Sequence, residues 1–191
     1  RVAAPHRELA EYDGAASVVQ GERAVAAFSP TDPLVADERS NAVALRNTET
    51  GELHGGPLAH EGRPADLAFS PDGRTLVVTD RRRALHLWNV EDGTRSRHSE
   101  GALPMAVAFT PDGSGIFTPE HGPGRGGAVS LELRDPADGG STVSSSDVRR
   151  LSGPGAVDFD SDGERVLLAG HTGHSLLYNA QDMVSIGRPV R

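Results

Sequence analysis

Apolar and polar residues follow one another along this chain in short runs, and the arrangement is clearest over residues 67–89, LAFSPDGRTLVVTDRRRALHLWN. Phe69 closes an apolar run, Ser70-Pro71-Asp72-Gly73 reads as a turn, 75–79 is rich in β-branched residues, and 85–88 alternates with period two. Three successive strands are predicted there. The same signature returns as Phe28-Ser29-Pro30, Phe109-Thr110-Pro111-Asp112-Gly113 and Phe159-Asp160-Ser161-Asp162-Gly163, so the four Phe residues stand 41, 40 and 50 positions apart. Pro64, Pro104 and Pro154 each precede their Phe by five residues, with Leu67, Val107 and Val157 two before it. A repeat near forty residues that carries several strands is the signature of propeller blades, whose sheets bury their faces only by stacking on one another.

Each unit divides into four predicted strands. They are 24–28, 34–36, 42–46 and 52–54 in the first unit, and 65–69, 75–79, 84–88 and 94–98 in the second. The third has 105–109, 115–118, 128–134 and 141–145, and the fourth 156–159, 165–169, 175–178 and 183–186. The blades then span 21–62, 63–102, 103–153 and 154–191, the third lengthened by a loop over 119–127 and a connection over 146–153. Residues 8–12, an Asp13-Gly14 turn and 17–20 fit the last two strands of an earlier blade, so 1–20 is read as a half blade. The expected fold is all-β, one β-propeller domain of four-stranded antiparallel blades, about four complete blades plus the half. Propellers hide their sheet edges by closing a ring. The half blade therefore implies a ring completed by a missing segment or by another chain.

Composition fits this picture. The chain has 23 Gly and 13 Pro in 191 residues with only 4% aromatic residues, which suits many turns and small core side chains better than a helical bundle. A net charge of -8 disfavours nucleic acid and anionic membrane, both of which select basic surfaces. All 19 basic residues are Arg, a bias expected of a GC-rich, bacterial coding sequence. The absence of cysteine removes disulfides, thiolate metal sites and cysteine nucleophiles. No apolar run approaches the roughly 18 residues of a membrane-spanning helix, and no charged-then-apolar leader opens the chain, so a soluble, cytoplasmic protein is expected.

These residues resemble the WD40-repeat family. His60 stands nine residues before Phe69, Thr79 ends the second strand of its unit and Trp88 ends the third, which are the positions of the family's buried His, Ser/Thr and Trp. Ala59 replaces the Gly before that His, and Asn89 the Asp after the Trp. In the other units the Trp position holds Arg46, Arg134 and Tyr178, and the His position Val19, Glu100 and Arg150. The resemblance implies that His60, Thr79 and Trp88 are structural. It also implies a non-catalytic protein–protein interaction scaffold, the propeller part of a larger bacterial signalling or regulatory protein. The S-P-D-G turns resemble lactonase-like and TolB-like propellers as well, which would imply a ligand or a catalytic metal in the central channel. His60 and Trp88 favour the first reading.

Candidate chemistry changes little. Asp158, Asp160, Asp162 and Gly163 match the start of a calcium loop, but Val166 and Ala169 stand where later ligands are needed, and the segment is also the fourth copy of the turn. His171 and His174 lie in a Gly-containing stretch where a spacing of three carries no geometric meaning, and zinc would want a further ligand. The Gly-rich 121–127 stretch lacks the Lys and the strand-to-helix context of a phosphate loop. No G-x-S-x-G elbow is present, so no catalytic residue, metal or cofactor is assigned. Function on repeat scaffolds sits on the loops that depart from the repeat. The resemblance implies that the connections between second and third strands share one face with the links between blades, and this set varies most in the sequence, which gives a predicted protein-binding face of Arg39, Arg81, Arg82, Arg83, His121, Arg125 and His171. Arg81 to Arg83 are its core, a local positive cluster on an acidic chain able to grip carboxylates.

Overall fold

The structure, a computed structural model, describes residues 25–39, 41–100, 106–121, 129–137, 139–145, 154–170 and 173–190. Every element among them is a β-strand. The first sheet holds β1 (Ala26–Phe28), β2 (Leu34–Arg39), β3 (Ala42–Asn47) and β4 (Leu58–Ala59). The second holds β5 (Pro64–Phe69), β6 (Thr75–Asp80), β7 (Ala84–Asn89) and β8 (Arg95–Glu100). The third holds β9 (Ala108–Phe109), β10 (Ile116–His121), β11 (Val129–Arg134) and β12 (Ser141–Ser145), and the fourth β13 (Pro154–Phe159), β14 (Arg165–Gly170), β15 (Ser175–Asn179) and β16 (Ser185–Val190). Each sheet is a four-stranded antiparallel meander in chain order, the architecture of blades in a partial β-propeller. The first strands β1, β5, β9 and β13 neighbour one another in turn, so they form the inner edge of the arc. The predicted half blade over 8–20 lies outside the described residues.

Three apolar cores hold the sheets together, one at each junction. Leu34, Ala36, Val43 and Leu45 of the first sheet meet Leu67, Phe69, Leu76, Val78 and Trp88 of the second. Val77, Leu85 and Leu87 of the second meet Val107, Phe109 and Ile116 of the third, and Phe117, Val129 and Leu131 of the third meet Val166, Leu168 and Tyr178 of the fourth. Period-two alternation is what lets one strand feed two cores: Leu76 and Val78 point one way, Val77 the other.

The repeated turn has a structural reason. The side chain after Phe69, Phe109 and Phe159 accepts the amide five residues on: Ser70 from Thr75 at 2.9 Å, Thr110 from Gly115 at 2.9 Å and Asp160 from Arg165 at 2.9 Å. Asp160 thus fills the place of a turn hydroxyl. Successive turns also nest. A Cβ on Gly73 would fall 2.0 Å from Thr31 Oγ1, one on Gly113 would be 3.6 Å from Pro71, and one on Gly163 would be 3.1 Å from Pro111. The Pro, or Thr31, of one turn therefore lies over the Gly of the next.

Several strand bounds differ from the sequence reading, among them β2, β9 and β16, and two differences have a physical reason. The fourth strand of the first sheet was expected at 52–54, but only a bridge between Arg46 and Leu53 forms there, and the paired strand is β4, opposite Ala42 and Val43. Gly55, at φ 73°, Gly56 and Pro57 interrupt it in between. The loop expected from residue 119 begins later, because β10 runs on to His121 through Pro119. A proline is tolerated there since β9 pairs only with Ile116 and Phe117 among the described residues, leaving this end of β10 unpaired on that side.

Candidate functional site

The turn between β6 and β7 is built from the inside outward. β6 ends on the fully buried Asp80, whose Oδ1 accepts the amides of Arg82 at 2.8 Å and Ala84 at 3.0 Å. Its Oδ2 faces His86 Nε2 at 3.0 Å. Burial pushes this carboxyl up, but the bonds from His86 and from the two amides outweigh it and hold the group below its ordinary range. The amide of Arg81 donates to the Arg63 carbonyl at 3.0 Å, and Arg83 turns the chain with φ 72°. Gly62 lies close beneath, since a Cβ there would come within 2.9 Å of Arg82 Cγ. Asp80 thus organises a tight turn, and Arg81, Arg82 and Arg83 are carried on it, all exposed. No ion pair joins their guanidinium groups to another described residue.

Beneath the turn, His60 packs edge-on against His86, with ring centroids 4.7 Å apart, and against Trp88 at 5.4 Å. Burial, then the neighbouring His86, lowers the His60 pKa to about 4, so the ring is neutral at pH 7. Thr79 Oγ1 donates to the Asp66 carbonyl at 3.3 Å, and among the described residues neither His60 ring nitrogen nor Trp88 Nε1 has a hydrogen-bond partner. The polar link in this sheet therefore runs from Asp80 to His86, a residue that sequence reasoning passed over because it looked like part of an alternating strand.

The register puts Arg46, Arg134 and Tyr178 in the Trp88 position, opposite Val35, Ile116 and Val166 as Trp88 is opposite Leu76. Arg134 is buried there, paired with Glu120, and donates to Thr118 Oγ1 at 3.2 Å and to the Gly139 carbonyl at 2.9 Å. Glu120 stands at the register position of Asp80, so a charged pair replaces the polar and aromatic set.

Of the predicted face residues, Arg39 ends β2 and His121 ends β10, at the same end of their sheets as the 81–83 turn. Arg39 is half-buried, with Nε 3.3 Å from Asp37 Oδ2. Arg125 and His171 lie outside the described residues. At this end Arg63 pairs with Glu38 and ties the second sheet to the first.

A cavity of about 350 Å³ opens at the opposite end, between the first two sheets, lined by Asp32, Asn47, His54, Arg74, Asn89 and Glu91 among others. Its residues belong to the short, uniform turns and the strand ends beside them, which is why the sequence offered no signal for it. Among the described residues no three His, Asp or Glu side chains converge as metal ligands would.

No family model matches the chain. A 61-residue segment is 38% identical to WD repeat-containing protein 1-B of Xenopus laevis, which covers 30% of this chain and 10% of that protein's length.

Proposed function

We propose that this chain is a WD40-type propeller segment that acts as a non-catalytic protein-interaction scaffold. Its contact surface is the sheet end bearing Arg81, Arg82 and Arg83, and its partner presents an acidic segment. The observation that carries the reading is the turn itself. Three exposed cations sit on a backbone pinned by the buried Asp80, so they are positioned before a partner arrives and lose little freedom on binding. The stacked all-β sheets and the similarity to a WD repeat-containing protein support the scaffold reading. The same proposal puts the chain in a larger cytoplasmic regulatory protein of bacterial type, with Arg39 and His121 at the same sheet end as the arginine cluster and Arg125 and His171 kept as expected contact residues.

The test is fluorescence anisotropy with labelled Glu-rich and Asp-rich peptides against the chain and the R81E/R82E/R83E variant. Affinity is expected to fall by about tenfold or more in the variant and to weaken with added salt. Equal affinity in both proteins overturns the assignment of this face.

A further inference from the structure

Every large apolar side chain exposed among the described residues belongs to the first or the last blade: Phe28, Leu53, Leu167, Val184 and Ile186. Four of them fall on two cross-strand rows. In the first sheet Phe28 is opposite Val35, Val35 opposite Arg46, and Arg46 bridges Leu53. In the last, Asp158 is opposite Leu167, Leu167 opposite Leu177, and Leu177 opposite Ile186. Phe28 is 75% and Leu53 59% exposed, Leu167 45% and Ile186 43%.

The interior of the molecule shows what each row is for. The counterpart of the first row in the second sheet is Phe69, Leu76 and Trp88, buried against the preceding sheet. The counterpart of the last row is Ala68, Val77 and Leu87, packed against the following sheet. At the third junction the contact is explicit, with Phe117 meeting Phe159 edge-on at 5.8 Å. By register, Leu167 occupies the Phe117 place and Phe28 the Phe159 place. Among the described residues no sheet covers either row; one is built to receive a preceding sheet and the other a following one, so each fits the other and neither fits itself.

We propose that the chain associates head to tail with a second copy, the Asp158, Leu167, Leu177, Ile186 row of one seated on the Phe28, Val35, Arg46, Leu53 row of the other. Such a contact is heterologous, continuing the internal stacking of blades across the chain boundary. It goes beyond the arginine-face reading and uses none of its residues.

Sedimentation velocity of the 191-residue chain over a range of concentrations tests this, with Phe28→Asp and Leu167→Asp as variants. Both side chains are exposed, so the variants are expected to keep the wild-type unfolding midpoint, and Leu53→Glu with Ile186→Glu serves as a second pair. Wild type is expected to self-associate, and each variant alone to do so at least about tenfold more weakly. Mixing Phe28→Asp with Leu167→Asp restores one contact, because each brings the face the other has lost, and assembly stops at a dimer. A wild type that stays monomeric overturns the proposal and leaves the first row to the half blade expected over 8–20, and a mixture that remains monomeric while wild type associates overturns it as well. Self-association of either single variant at wild-type strength overturns it too. The R81E/R82E/R83E variant is expected to associate as wild type does, so the two readings fail separately.

Discussion

At Asp80 two carboxylate oxygens serve three donors, two from the turn that follows and one from His86. That geometry explains why three consecutive arginines do not spoil the turn, and why it was hard to read: in the sequence the arginines look like an insertion, whereas the organising residue is the acid before them. His60 and Trp88 were legible because an aromatic and a histidine at family spacing are rare in a chain with 4% aromatics, but their hydrogen-bonding was not. His60 carries a pH consequence. Burial lowers its pKa to about 4 in the folded chain, against about 6.5 unfolded. Below the unfolded value the unfolded chain takes up a proton that the folded chain refuses, so stability is complete above about pH 6.5 and is lost progressively down to about pH 4. Screening keeps this loss on the order of 1–3 kcal/mol. Urea unfolding near pH 7 and near pH 5 should show the wild-type midpoint falling, and His60→Leu should remove most of that fall. An unchanged slope in the variant would assign the acid sensitivity elsewhere.

The turns after β1, β5, β9 and β13 show what one repeat reveals and what it conceals. Ser-Pro-Asp-Gly is legible as a turn from residue preferences alone. Its second role is invisible in any single copy, because the Pro of one turn meets the Gly of the next across a junction between sheets. Asp160 belongs here: its calcium-like company is a by-product of an acid doing the work of Ser70. Gly73 and Gly51 separate the two demands. Both have positive φ, 72° and 76°, but a Cβ at Gly73 would meet Thr31 Oγ1 at 2.0 Å, while nothing lies within 4 Å of one at Gly51. Gly51→Ala is therefore expected to cost only the backbone term, about 1 kcal/mol, and Gly73→Ala about 1–3 kcal/mol. Adding Thr31→Ala to Gly73→Ala should recover the excess, read by thermal or urea unfolding. Equal losses at the two glycines would mean that the turns do not couple the sheets.

In the molecule as a whole, stability is distributed over junctions, and the period near forty residues carried that information because each Phe marks one sheet face. What the period did not carry is the chemistry at each junction: the second sheet uses His60, His86 and Trp88, the third the Arg134 and Glu120 pair. In a linear stack each sheet is stabilised by its own contacts and by its neighbours. The second and third sheets each have two neighbours, and the first and fourth have one each among the described residues. Opening an inner sheet must break two cores, one on either side of strands such as β6 and β10, whereas opening an outer sheet breaks one. Hydrogen exchange at concentrations too low for self-association should therefore grade along the chain. Amides of β6, β7, β10 and β11 are expected to exchange at least about tenfold more slowly than those of β2, β3, β14 and β15. Raising the concentration should slow exchange in the outer sheets if their free rows become covered, and leave the inner sheets unaltered. Uniform protection at low concentration would instead mean that the four sheets open as one unit, and that the junctions are too strongly coupled for a nearest-neighbour description to hold.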